Sequence, residues 1–277
     1  MNRLVGARIA ITTPKPQTTR NRIMGVITIE DTQYMFSDTP GMHLPRTRLG
    51  EYMQDEIYQA VDGIDLVLFI VYPKESFDEQ EMKLLSQLKS RNLPVVLVMN
   101  KADILKSRTK GRDMLQKLSE VYDFCDTALV SAADGYGIDE LMKTISSYAK
   151  PGEFMYDEDT LTDIPLRVIV SEFIREQLIM SLSDELPYGT AVSIESFSER
   201  ENSDIIDIGA VILCEKESHK GIIIGKGGKK LKQIASDARL EIEEFLESKV
   251  NLKCWVKVRD GWRDNDNFIR EYNYIRR

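Results

Sequence analysis

Asp38, Asn100, Lys101, Asp103 and Ala132 are of the types needed to hold a guanine base and a divalent cation. Asp103 closes the string Asn100-Lys101-Ala102-Asp103. A carboxylate there accepts two hydrogen bonds from the N1–H and N2–H2 edge of guanine, whereas adenine would leave it desolvated and unpaired. Asn100 would meet the base's other edge and Lys101 would lie along the ring and ribose. The backbone N–H of Ala132, in Ser131-Ala132, would meet guanine O6. Asp38 opens Asp38-Thr39-Pro40-Gly41, where its carboxylate would hold Mg2+ through water and the Gly41 N–H would meet a γ-phosphate. Thr19, in Gln17-Thr18-Thr19-Arg20, is the hydroxyl expected to reach Mg2+ only in the triphosphate state.

Each string alone reads as a turn after a strand. Their order along the chain, each following a predicted strand, makes them a guanine-nucleotide constellation with GTP or GDP and Mg2+ as ligands. Met42 follows Gly41 where many GTPases place a glutamine to orient water, and methionine lacks a donor or acceptor for that task. His43 reads as exposed or structural, so no catalytic residue is assigned. No G-x-x-x-x-G-K-[ST] string occurs in the 277 residues. That loop supplies the N–H groups and lysine that hold β- and γ-phosphates, so GTP binding and hydrolysis by the chain as written are expected to be impaired or absent.

A second candidate surface is basic. Residues 220–232 contain five lysines and no acid, centred on Gly225-Lys226-Gly227-Gly228. A glycine loop opening a helix lets phosphates approach bare backbone, with N–H groups and the helix dipole favouring an anion. Between two helices, such a G-x-x-G loop clamps a single-stranded nucleic-acid backbone in KH domains. Lys220, Gly225, Lys226, Gly227, Gly228, Lys229 and Lys230 are the expected RNA contacts. The competing reading, a helix-entry turn with a solvated lysine face, is weakened by the apolar Ile222, Ile223 and Ile224 before the loop and the amphipathic helix after it. Local preference makes those isoleucines a strand, whereas a KH fold makes them a short helix. The tail from Asp260 to Arg277 mixes aromatics with Arg263, Arg270, Arg276 and Arg277. Two readings stand there: stacking on RNA, or Trp262, Phe268, Tyr272 and Tyr274 pinning a terminal helix.

The elements that position these residues follow from periodicity. Asn2 to Gly6 reads as a helix end closed by a glycine, so the chain is expected to have lost its beginning. Gly25 to Glu30 and Thr32 to Ser37 alternate as a hairpin running into Asp38. Apolar runs at 64–72, 94–99 and 127–130 alternate with helical spacing at 47–62, 78–90, 111–122 and 138–148. That alternation predicts a parallel sheet covered on both faces, with ligands at the strands' carboxyl ends. Lys150-Pro151-Gly152 breaks the pattern. A nucleotide domain over 1–150, a linker over 151–163 and a second domain over 164–277 are expected, the last ordered helix (166–182, started by Asp163 before Pro165), two strands (189–197, 205–215), glycine loop, helix (229–248), strand (252–258). The fold class is α/β, a P-loop-type doubly wound sheet truncated at its N-terminus, followed by an α+β KH domain.

Composition sets limits. A net charge of −8 gives no bulk attraction to RNA or anionic lipid, so any polyanion site is a local patch. Cys125, Cys214 and Cys254 are widely spaced, with no C-x-x-C, which argues against a disulfide framework or zinc site. No apolar run approaches the ~18 residues of a membrane span, and Met1 to Ala10 does not read as a signal peptide, since Arg3 and Arg8 bracket too short an apolar stretch. A cytoplasmic protein is expected.

Together, Lys15-Pro16-Gln17-Thr18-Thr19-Arg20-Asn21-Arg22, Asp38-Thr39-Pro40-Gly41-Met42-His43, Glu185-Leu186-Pro187-Tyr188 and Trp255-Val256-Lys257-Val258-Arg259-Asp260-Gly261-Trp262 resemble the Era family of bacterial GTPases across essentially the whole chain. The resemblance implies binding to the 3′ end of small-subunit ribosomal RNA, a role in small-subunit assembly, peripheral association with the inner membrane, and no DNA partner. It also implies that a hydrophobic residue at Met42 is usual, and that a strand and phosphate loop precede the segment at Met1. Two other functions remain open: a KH RNA-binding protein with a non-functional nucleotide domain, whose RNA affinity ignores GTP, and a scaffold that uses its basic tail on ribosome or membrane.

Overall fold

The computed structural model describes residues 1–201 and 203–272. Its contacts divide into two compact units that are not collinear with the sequence. One comprises Met1–Ala7, Val26–Met35 and Tyr58–Thr160, the other Arg8–Gly25, Phe36–Ile57 and Leu161–Arg277. By contacts, the stretches bearing Thr19 and Asp38 thus fall in the second unit. Ile11 shows why: it is buried in the same core as Ile169, Val170 and Phe173.

In the first unit, helix α1 (Asn2–Val5) ends at Gly6, whose φ of 76° and N–H bond to the Asn2 carbonyl make the expected glycine closure. Strands β1 (Ile23–Ile29) and β2 (Thr32–Asp38) form the hairpin, with Glu30 in its turn at φ 53°, and its part from Val26 to Met35 belongs to this unit. Helix α2 (Arg48–Gln59) follows, and its residues to Ile57 belong to the second unit. Strands β3 (Val67–Val71), β4 (Val95–Met99) and β5 (Asp126–Leu129) make a parallel sheet in that order. Every residue of β4 is at most 1% exposed, which is why that strand reads as an unbroken apolar run rather than an alternation. Helices α3 (Glu79–Ser90) and α4 (Arg108–Ser119) join the strands, and α5 (Ile138–Ser146) follows β5. Asp78 and Glu81 close a capping box on α3, and Leu85, Leu88, Leu115 and Leu118 fill the core against Leu97. Each such leucine removed from water contributes about 2 kcal/mol.

In the second unit, α6 (Leu166–Ser181) precedes β6 (Ala191–Glu199) and β7 (Ile205–Cys214). Then come α7 (Glu217–Ile224), α8 (Lys229–Leu246), β8 (Lys249–Val258) and α9 (Asp266–Glu271). Sheet order is β6-β7-β8, antiparallel then parallel, and the parallel pair requires the crossover that α7 and α8 supply. Ile208, Ala210 and Ile212 face a core built with Ile174, Leu178, Ile234, Ala238 and Ile242. Val211 and Leu213, on the opposite face, meet Leu49, Met53, Trp262, Ile269 and Tyr272. Residues 222–224 are helical against their strand preference: they form the last turn of α7 before Gly225, with Ile223 fully in the core and the adjacent Ile224 packed against it, a pair of neighbours that an alternating strand would send to opposite faces. Asp163 does not cap α6; Pro165 stands at that position with no side-chain hydrogen bond.

The described part of the tail, to Tyr272, is pinned to the domain. Trp262 is fully buried, donates from Nε1 to the Gly189 carbonyl at 3.0 Å and meets Tyr272 edge-on at 6.3 Å. Arg263 is held by Glu215 at 2.8 and 2.9 Å. Tyr274, Arg276 and Arg277 lie outside the described residues.

The three thiols separate by environment. Cys125 is exposed, Cys214 is buried with its thiol raised, and burial pushes the Cys254 thiol up to about 12. Since only thiolate reacts, iodoacetamide at pH 8 is expected to label Cys125 in the native protein and the other two only in denaturant, as peptide mapping would show.

Candidate functional site

The residues expected to read guanine sit where the sheet's strands end. Asn100 follows β4, its N–H bonded to the Val71 carbonyl at 2.8 Å. Its Oδ1 accepts from the Lys101 N–H at 2.7 Å and the Ala132 N–H at 3.0 Å. With the oxygen so committed, the amide NH2 is the group left to donate, and N7 of a purine is an acceptor. The Ala132 N–H is thus turned onto Asn100, and a contact with guanine O6 would have to be shared with it. Lys101 is left-handed at φ 64°, which starts a short 3-10 turn, and the Ala102 N–H bonds the Val130 carbonyl at 3.0 Å. Asp103 is exposed, and its Oδ1 accepts from the fully buried Ser131 hydroxyl at 2.8 Å. Ser131 therefore orients the carboxylate and leaves Oδ2 for a donor edge. All five predicted residues of this end come together.

The loop after Ser131 is braced by contacts that sequence patterns do not reveal. The Ser131 N–H bonds the Tyr136 carbonyl at 2.9 Å, and the Gly135 N–H bonds the Ser131 carbonyl at 2.8 Å. Asp134 accepts from the Tyr136 N–H at 3.0 Å, a bond that lowers its carboxyl below the usual range. Arg108 lies 3.6 Å over the Tyr136 ring. Gly137 has φ 73°, and a Cβ there would stand 2.4 Å from the Leu129 carbonyl oxygen. Gly137→Ala is therefore expected to cost about 2 kcal/mol and to weaken nucleotide binding, as thermal unfolding and a GDP titration would register.

Thr19 and Asp38 meet in the second unit. Burial raises the Asp38 carboxyl above its ordinary value, opposed by hydrogen bonds from the Thr39 N–H and the Thr19 side chain. A carboxylate and a hydroxyl are hard oxygen donors, and a carboxylate disfavoured by burial is relieved by a cation, so this pair fits Mg2+. Thr39 is half-buried and Pro40 buried, whereas Gly41 is exposed with nothing within 4 Å of a Cβ position. Met42 is half-buried, and the Gly41 carbonyl lies 3.0 Å from His43 Nδ1.

The segment carrying Thr19 is fastened by residues to which sequence reasoning gave no role. Arg20, 3% exposed, donates to the carbonyls of Thr190 at 2.7 Å and Tyr188 at 3.0 Å, and stands 6.0 Å over the Trp262 ring. Arg175 on α6, also buried, bonds the Thr18 carbonyl and Glu172. Lys15 Nζ donates to the Ile179 carbonyl at 2.7 Å and to that of Leu182, taking up carbonyls at the end of α6. The one sequence signal was the string from Lys15 to Arg22 itself.

At the glycine loop, Gly225, Gly227 and Gly228 all have positive φ, at 70°, 61° and 76°. A Cβ on Gly225 would stand 2.7 Å from Lys230 Cβ, whereas those on Gly227 and Gly228 would meet nothing within 4 Å. The loop is thus left-handed at Gly227 and Gly228, bare on one side, and opens the 18-residue helix α8. Lys226 and Lys229 are exposed; Lys220 and Lys230 are half-buried.

Comparison with known proteins agrees with both halves. The family model described as "KH domain" matches residues 185–263, and that described as "50S ribosome-binding GTPase" matches 1–101. GTPase Era of Caldanaerobacter subterraneus subsp. tengcongensis is 42% identical over 274 residues, spanning 99% of this chain and 92% of that protein. GTPase Era of Clostridioides difficile is also 42% identical, with the same coverage. A crystal structure of Aquifex aeolicus Era bound to GDP·AlF4− superposes with a TM-score of 0.94 at 33% identity, covering 99% of this chain and 93% of that one. A structure of Era with MgGDPNP and nucleotides 1506–1542 of 16S ribosomal RNA has a TM-score of 0.94 at 33% identity, covering 99% and 92%.

Proposed function

This chain belongs to the Era family of GTPases, and on that premise we propose that it binds small-subunit ribosomal RNA and, although its 277 residues hold no G-x-x-x-x-G-K-[ST] loop for the phosphates, guanine nucleotide through the base-reading end of the sheet, with the nucleotide state controlling RNA affinity. Asn100, Asp103 and the Ser131-Ala132 loop select guanine. Asp38 and Thr19 would hold Mg2+, which neutralises phosphate charge when bound. The lysines and bare glycines from Lys220 to Lys230 take the RNA backbone. The observation that carries the reading is that Thr19 and Asp38 lie in the same compact unit as the KH fold, tied there by Arg20, Lys15 and Arg175. A threonine that moves with the nucleotide's γ-phosphate would pull on α6 and on the turn from Pro187 to Thr190, so RNA affinity would follow nucleotide state.

The RNA reading is supported by the Era complex with nucleotides 1506–1542 of 16S ribosomal RNA, and it extends to assistance in small-subunit assembly in the cytoplasm. No helix among the described residues is long and apolar enough to cross a membrane, so membrane association would be peripheral and would be read by flotation with anionic vesicles. Titration with a fluorescent GDP and Mg2+ tests the nucleotide half: saturable binding lost in Asp103→Ala is expected, and binding indifferent to that substitution would refute it.

A further inference from the structure

Strand β8 is the edge strand of the KH sheet, and its two faces differ sharply. Val250, Leu252, Cys254, Val256 and Val258 pack into the core with α6, α7 and α8. The alternate positions, Lys249, Asn251, Lys253, Trp255 and Lys257, form one outward line about 26 Å long. Trp255 is 50% exposed in the middle of a regular strand. It pairs in register with Val211, where the covered part of that face ends.

The floor beneath Trp255 is flattened. Its six-membered ring reaches over Gly209, where an added Cβ would stand 3.2 Å from the ring and 2.4 Å from Ser196 Oγ. The β6 register shifts between Ile194 and Ser196, beside that glycine. The missing side chain at Gly209 lets the Trp255 ring lie close over the sheet backbone. The flanking lysines can be recruited. Lys257 pairs with Glu195 at 2.9 Å and Lys249 with Glu243 at 3.4 Å, both lysines exposed, and such pairs are worth little in water. Glu243 keeps the Val250 N–H and Arg239 when Lys249 leaves.

We propose that the outward face of β8 is a second single-strand RNA strip, on which a base stacks against Trp255 while Lys249, Lys253 and Lys257 meet the phosphates on either side. Side chains two apart on a strand repeat about every 6.6 Å, so cations alternate with the aromatic along an extended backbone. The strip carries one large apolar side chain, too few for an apolar protein interface or an inserting membrane face. The inference rests on the RNA reading above and extends it beyond the glycine loop.

The chain's two tryptophans make the test selective, since Trp262 is buried. The probes are a 16S ribosomal RNA segment of nucleotides 1506–1542, a hexanucleotide from it, and phosphatidylglycerol vesicles. The longer RNA is expected to quench emission in the wild type and not in Trp255→Phe. Trp255→Ala and Lys253→Ala are each expected to lower affinity for the longer RNA roughly tenfold and to leave the hexanucleotide unchanged, with Trp255→Phe restoring most of the loss. Gly227→Asp weakens both RNAs if the glycine loop binds them. Unchanged emission, with Trp255→Ala equal to wild type while Gly227→Asp still weakens binding, would overturn the strip and leave the glycine loop standing. Loss in Trp255→Ala with Gly227→Asp harmless would uphold the strip and refute the glycine loop. A lysine effect on vesicles alone would also overturn it.

Discussion

Asp103→Asn is expected to lower GDP affinity by roughly 10²- to 10³-fold, about 3 to 4 kcal/mol, and to raise affinity for xanthosine diphosphate. Donor and acceptor matching sets the effect. Guanine offers N1–H and N2–H2, and the carboxylate accepts both; an asparagine replaces one acceptor with an NH2 that faces the donor N2–H2. Xanthine carries an oxygen at that position, which the new NH2 satisfies. The penalty is large because the mismatch strands polar groups in a desolvated contact rather than only removing a bond. The substitution leaves Oδ1 in place to accept from Ser131 at 2.8 Å, so the loop should keep its shape. Competition of both diphosphates against a fluorescent GDP checks the prediction, and equal weakening of both would deny Asp103 its role.

Gly227→Asp is expected to lower affinity for the ribosomal RNA segment roughly hundredfold, about 3 kcal/mol, while the domain stays folded. Gly227 has φ 61° with open space around its Cβ position, and aspartate is among the few side chains that tolerate that backbone. What changes is charge: a carboxylate enters among Lys226, Lys229 and Lys230, where phosphate would lie. Because one cation's worth of attraction is cancelled, the slope of log affinity against log salt should also become shallower. Filter binding over a salt series reads both effects, and retained Trp262 emission shows that the fold survives.

The parallel strands were legible because a strand buried on both faces, such as β4, must be a continuous apolar run. The glycine loop was legible because only glycine suits three positive φ values in one turn. Residues 222–224 misled local preference because the burial of Ile223 decides that segment and lies outside any short window. The division into units was not legible: Arg20, Lys15 and Ile11 find their partners more than 150 positions away, and no periodicity encodes such a pairing. Nor was the bracing of the Ser131 loop, where Tyr136 and Arg108 act through geometry rather than a pattern.

The most direct test of the account is RNA affinity measured in three nucleotide states: none, GDP with Mg2+, and a non-hydrolysable GTP analogue with Mg2+. The nucleotides 1506–1542 segment of 16S ribosomal RNA is the probe. If the segment holding Thr19 couples guanine nucleotide to the KH unit, the triphosphate analogue tightens RNA binding at least severalfold over GDP, and Arg20→Ala, which removes the bonds to Tyr188 and Thr190, erases the difference. Identical RNA affinity in all three states would contradict it, leaving an RNA-binding protein whose nucleotide domain does not control it.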